Sequence, residues 1–104
     1  MGALLIALAS SGVAGAQAAP ALRVLDTSPV TVRGTGFHSG ERVTVTLVLN
    51  RSSRLRSATA SAAGRFVALF TGVPIGHCQG YVLRATGGRG SQATFKFIPE
   101  CAQP

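Results

Sequence analysis

An all-β fold of about seven strands, packed as a two-layer sandwich behind an N-terminal signal helix, is what this sequence predicts. Three observations carry the expectation. Short segments rich in Val, Thr and Phe alternate with period two. Clusters of Gly, Pro, Asn, Asp and Ser separate them at short intervals, as in a chain of strands and turns. The one long apolar stretch without such punctuation lies at the N-terminus.

Residues 1–18 read as a signal peptide and 19–104 as the domain, an immunoglobulin-like β-sandwich on the resemblance given below. Leu4-Leu-Ile-Ala-Leu8 is an apolar run too short to span a bilayer securely. Ala16-Gln17-Ala18 is a small-x-small cleavage signature, which places the cut before Ala19. No Lys or Arg stands near Met1, so an uncleaved signal anchor stays open, as does a start further upstream. Membrane attachment is expected only through that segment. The protein is expected to be secreted or at the cell surface, and a monomer.

The strands follow in order. Ala21–Leu25 is an edge strand, and Asp26-Thr-Ser-Pro29 a turn. Val30 and Val32 begin a half-buried strand that Gly34-Thr-Gly36 breaks. The corner made by Gly34, Gly36, Phe37 and Gly40 is read as backbone machinery, with Phe37 plugging one end of the core. Val43, Val45, Leu47 and Leu49 alternate with polar residues in the strongest strand of the chain. After a polar turn, Leu55–Ala63 is a weak strand with Ala58, Ala60 and Ala62 inward, and an Ala-rich helix is the competing reading. Phe66-Val-Ala-Leu-Phe70 is expected to be buried on much of both faces. Thr71–Gly80 is irregular. Gly80–Thr86 and Gln92–Ile98 form a hairpin around Gly87-Gly-Arg-Gly90, with Ala93, Phe95 and Phe97 on one face.

With a hairpin symmetric about Gly88-Arg89, Cys101 falls within two residues of register with Cys78. The two cysteines are therefore expected to form a disulfide, in keeping with export. Free thiols are the alternative. His77 beside Cys78 is a poor match to zinc spacing, so no metal is expected.

The net charge is +7, with 10 basic residues against 3 acidic ones. Arg51, Arg54, Arg56 and Arg89 are the candidate contacts for a ligand or an anionic surface polymer. There is no dense basic run of the kind that reads nucleic acid. The carboxylates Asp26, Glu41 and Glu100 are too scattered for a paired-carboxylate hydrolase. No Gly-x-Ser-x-Gly elbow accompanies His38 or His77, and Gly34-x-Gly36 does not match a dinucleotide fingerprint. No catalytic residue and no cofactor are expected.

Three stretches resemble a family. Val32-Arg-Gly34-Thr-Gly36-Phe37 followed by Gly40-Glu-Arg-Val43-Thr-Val45 is similar to the opening of bacterial immunoglobulin-like domains of the IPT/TIG type. Ala60-Ser-Ala-Ala-Gly64-Arg-Phe66 resembles a hairpin of that family, and Gly80-Tyr81-x-Leu83-x-Ala85-x-Gly87 a later strand. The resemblance spans about residues 22–98. It implies an immunoglobulin-like β-sandwich and a role in adhesion, spacing or binding at the cell surface, with no catalytic residues. The acidic residue common before the glycine at position 64 is absent, and Cys78 and Cys101 are additions. A looser resemblance, to neocarzinostatin-like apoproteins, implies a carrier of a hydrophobic small molecule in a cleft; in this chain, loop residues such as Phe37, Phe70, Val73 and Ile75 are the candidates to line one.

Overall fold

The structure, a computed structural model, describes residues 19–101; the segment expected to be a signal peptide, residues 1–18, lies outside them. Seven strands follow one another: β1 (Ala21–Thr27), β2 (Val30–Thr35), β3 (Arg42–Leu49), β4 (Ser52–Thr59), β5 (Phe66–Phe70), β6 (Tyr81–Gly87) and β7 (Gln92–Phe97). They form two antiparallel sheets, ordered β1-β2-β5 and β4-β3-β6-β7. No helix occurs among the described residues, so the Ala-rich segment is strand rather than helix.

The core lies between the sheets and follows from alternation. Val30 and Val32 of β2, and Phe66, Ala68 and Phe70 of β5, point in from the first sheet. Val43, Val45, Leu47 and Leu49 meet them from β3, with Tyr81, Leu83 and Ala85 from β6. β3 is a central strand of its sheet, paired to β4 on one side and β6 on the other. That explains why its pattern is the clearest in the chain: both edges are hydrogen-bonded and one face is fully covered.

Several expectations are corrected. Gly34 does not break β2; it is paired to Leu22 and Phe66 inside it. A Cβ there would overlap the Phe66 ring, so the glycine is the space into which that ring packs. β1 runs on to Thr27 through a bulge between Val24 and Asp26, and only Ser28-Pro29, joined by a cis peptide, makes the turn. β4 begins at Ser52 and ends at Thr59; Ala58 and Ala60 face inward as expected, whereas Ala62 is exposed in the next loop. β5 is not buried on both faces. Val67 and Leu69 are 50% and 47% exposed, because nothing among the described residues covers the outer side of the three-stranded sheet. Phe97, at the end of β7, is also open to solvent.

The two sheets are tied at the β4/β5 side by Arg56. Its Nε donates to Leu69 O at 3.1 Å and its Nη2 to Thr71 O at 3.3 Å. Its guanidinium also stands 5.2 Å from the centre of the Phe70 ring. β5 is an edge strand, and an inward-leaning arginine that occupies its carbonyls blunts that edge against further pairing.

Candidate functional site

Every turn of the domain falls at one of two poles. The first pole gathers the β2–β3 corner, the β4–β5 loop and the β6–β7 hairpin. The second gathers the β1–β2 turn, the β3–β4 turn, the long β5–β6 loop and the segment after β7.

The first pole is built around Glu41, which is only 1% exposed. Its Oε1 accepts from the His38 amide at 2.9 Å and from Ser91 Oγ at 2.7 Å. Its Oε2 accepts from the amides of Arg89 at 2.8 Å and Ser91 at 3.3 Å. Burial alone would raise its pKa; the donors at His38, Ser91 and Arg89 overcome that and hold it at about 2, against an ordinary 4.5. Its backbone adds two ties, Glu41 N to His38 O at 3.0 Å and Ala60 N to Glu41 O at 2.8 Å. A Cβ on Gly87 would overlap the carboxylate, so Gly87 is the room in which Glu41 sits.

The β2–β3 corner wraps that carboxylate. Gly36 and Gly40 hold φ of 78° and 71°, a region that favours glycine, and the chain passes from one sheet to the other between them. Phe37 is buried and meets Phe66 edge to face, with centroids 5.0 Å apart. Its amide donates to Gly64 O at 3.2 Å, and Gly40 N donates to Ala60 O at 3.0 Å. In the sequence Glu41 stands out only as one of three scattered acids, and nothing local marks it as the centre of this pole.

The second pole is held by the Cys78–Cys101 disulfide, which the register predicts; the two Cα atoms are 5.9 Å apart. Gly76–Gln79 is a turn closed by Gln79 N donating to Gly76 O at 3.1 Å, and Gly76 N donates to Gln79 Oε1 at 2.7 Å. Cys78 takes the third position with φ 66°, as a type II turn requires. The bridge ties this turn to the chain just past β7. Beside it the Tyr81 ring stacks on Phe97 at 5.2 Å and on Phe95 at 6.4 Å. Burial pushes the Tyr81 phenol pKa up, so the phenol stays neutral.

Two neighbouring hollows open on this pole. One, of about 630 Å³, lies between the Ser28-Pro29 turn and Thr71–Ile75. The other, of about 430 Å³, is lined by Gly76–Gln79, Tyr81, Phe97, Pro99, Glu100 and Cys101. Thr27 and Ile75 belong to both. Both are open depressions: the first is walled by aliphatic and hydroxyl groups, and the second adds the rings of Tyr81 and Phe97. A third hollow of about 490 Å³ lies at the first pole among His38, Arg89 and Gln92, and its walls are mainly polar.

Of the residues expected to line a carrier cleft, Val73 and Ile75 come together on the wall of the first hollow, whereas Phe37 is at the opposite pole and Phe70 is fully inside the core. The four candidate arginines are likewise divided. Arg51 and Arg54 flank a shallow groove with Val73, Pro74 and Gln79. Arg56 is committed to β5, and Arg89 is at the first pole, its Nη1 reaching Ser39 O at 3.4 Å. Among the described residues no three His, Cys, Asp or Glu side chains group as metal ligands would. No protein-family model and no curated protein matches this chain.

Proposed function

We propose that this chain is a secreted, non-catalytic immunoglobulin-like module that binds at the cell surface through its disulfide-braced pole. The observation that carries the reading is the pair of adjoining hollows around Ile75 and the Tyr81–Phe97 stack, fixed in place by Cys78–Cys101. Binding loops on a rigid sandwich are a common use of such a scaffold. The arrangement of first, second and fifth strands against the other four supports an immunoglobulin-like topology. The disulfide supports an oxidising compartment, and the apolar run before Ala19 supports export.

The test is capture of the natural ligand from the producing cell's surface by the purified chain, compared with Ile75→Ser and Phe97→Ser. Both variants lose capture and stay folded, with melting temperatures lowered by the lost Ile75 core packing and the lost Phe97–Tyr81 stack. Leu55→Ser, an exposed position on β4 away from the hollows, keeps it. Equal capture by all four proteins would remove the pole from consideration. The chain recovered from the medium begins at Ala19; recovery from the cytoplasm with residues 1–18 attached contradicts secretion.

A further inference from the structure

The outer face of the three-stranded sheet carries an arrangement that neither the fold nor the disulfide pole uses. Arg23 of β1 stands directly opposite Arg33 of β2. Arg33 in turn stands opposite Val67 of β5. Arg65, the residue just before β5, is exposed, as Val67 and Leu69 are, while Phe66, Ala68 and Phe70 between them are buried. All three arginines are exposed. Side chains directly opposed across an antiparallel pair have Cβ atoms about 5 Å apart, and like charges there are destabilising.

The opposition is created by the β-bulge. The turn end of the hairpin pairs Thr27 with Val30 and Asp26 with Thr31. Carried on without interruption, that register would set Arg23 against Gly34. The extra residue between Val24 and Asp26 shifts it, and Arg23 meets Arg33 instead.

No acid among the described residues offsets the pair. Asp26 is the only carboxylate in this sheet, and its Oδ1 accepts from the amides of Thr27 at 2.7 Å and Ser28 at 3.2 Å. Glu41 is enclosed at the first pole, and Glu100 lies beyond β7 in the other sheet. The same face exposes aliphatic side chains. Leu69 and Val67 are about half exposed, and Leu25, at the bulge, is 44% exposed.

We propose that this face is a docking surface for a bilayer rich in anionic phospholipid. Arginine forks match phosphate oxygens two at a time, and Arg23, Arg33 and Arg65, exposed together on one side, can each take a headgroup phosphate of the same bilayer surface. Leu25, Val67 and Leu69 enter the boundary between headgroup and acyl chain, which a soluble phosphate polymer would not reward. A second copy of the chain docked symmetrically on this face would set arginine against arginine. This face is separate from the disulfide pole, so either assignment stands if the other fails.

The experiment is co-sedimentation of the full chain with vesicles of phosphatidylglycerol and with vesicles of phosphatidylcholine, at low and high salt. The apolar segment before Ala19 is the same in every protein compared, so differences report the domain. Arg23→Gln/Arg33→Gln weakens partition onto phosphatidylglycerol by about thirtyfold, at about fivefold per arginine. It leaves the melting temperature equal or higher, because the repulsion is relieved. Val67→Ser/Leu69→Ser also weakens partition, severalfold. Arg51→Gln/Arg54→Gln on β4 and its turn changes it by less than about threefold, having no part in the face. An equal loss in the β4 pair would show that net charge alone drives binding and overturn the proposal. So would competition by soluble polyphosphate together with full binding by the Val67/Leu69 variant, which would assign the arginines to a phosphate polymer. Equal partition of the Arg23→Gln/Arg33→Gln variant and the unaltered chain onto phosphatidylglycerol would overturn it as well.

Discussion

At one end of the sandwich four donors converge on the carboxylate of Glu41. At the other, a single covalent bond joins two segments that lie outside the strands. The two ends solve one problem, loop anchorage, by different physics. The Glu41 lock exists only in the folded state, because it needs donors from His38, Arg89 and Ser91 to be brought together. The disulfide acts largely on the unfolded chain, whose freedom it reduces. The hollow at the Glu41 end has mainly polar walls, and the hollows with more apolar walls are found at the covalent end.

The comparison breaks most sharply at Glu41. Glu41→Gln sets an amide NH2 against backbone N–H donors, with the Ser91 hydroxyl the one neighbour able to turn and accept, and it lowers the melting temperature by roughly 20 °C. Thermal scanning of the purified chain checks this. Gly87→Ala, which fills the space of the carboxylate, reproduces the loss in the same direction.

Next in size are two changes of similar magnitude that act at opposite ends. Phe37→Ala costs about 3 kcal/mol by removing the buried ring set against Phe66. The double variant Cys78→Ala/Cys101→Ala costs about 3 kcal/mol, set by the separation of 23 residues between the cysteines. Denaturant titration gives both values, and hydrogen exchange separates them. Loss of Phe37 raises exchange of the Phe37 and Gly40 amides at the first pole. Loss of the disulfide raises exchange of Gly76 and Gln79 at the second and leaves the first pole protected. Increased exchange at both poles in both variants would show that they are not independent.

Arg56→Met is the smallest expected effect. It removes the tie between β4 and β5 while keeping the aliphatic stem, and costs about 1 kcal/mol. Urea midpoints read it directly, and an unchanged midpoint would mean that the carbonyls of Leu69 and Thr71 are equally well served by water.

These features differ in how plainly the sequence alone announces them. β3 is legible because Val43, Val45, Leu47 and Leu49 alternate with Arg42, Thr44 and Thr46, as a central strand with one covered face must. The disulfide is legible because one hairpin sets its register. Phe66–Phe70 misleads because Val67 and Leu69 are apolar on an uncovered face, so composition hides the alternation. Glu41 is opaque for a different reason. Its burial depends on Arg89 and Ser91, some fifty residues on, and on the missing side chain at Gly87. The nearest signal is that small residues, Gly87, Gly88, Gly90 and Ser91, crowd one hairpin. The opposition of Arg23 and Arg33 is hidden by the bulge, which no local pattern announces.

The contrast between a locked and an open pole stands or falls on the charge state of Glu41. Its pKa is lower folded than unfolded, so the stability it contributes is complete above about 4.5 and is lost as pH falls toward about 2. The direct measurement is a carboxyl-carbon NMR titration of Glu41 in the folded domain, with Glu100 as the solvent-exposed comparison. A midpoint near 2 for Glu41 is the expected result. A midpoint at the ordinary value of 4.5, with the first pole still protected from exchange, would show that the four donors do not hold the carboxylate and that the two poles are not distinguished by it.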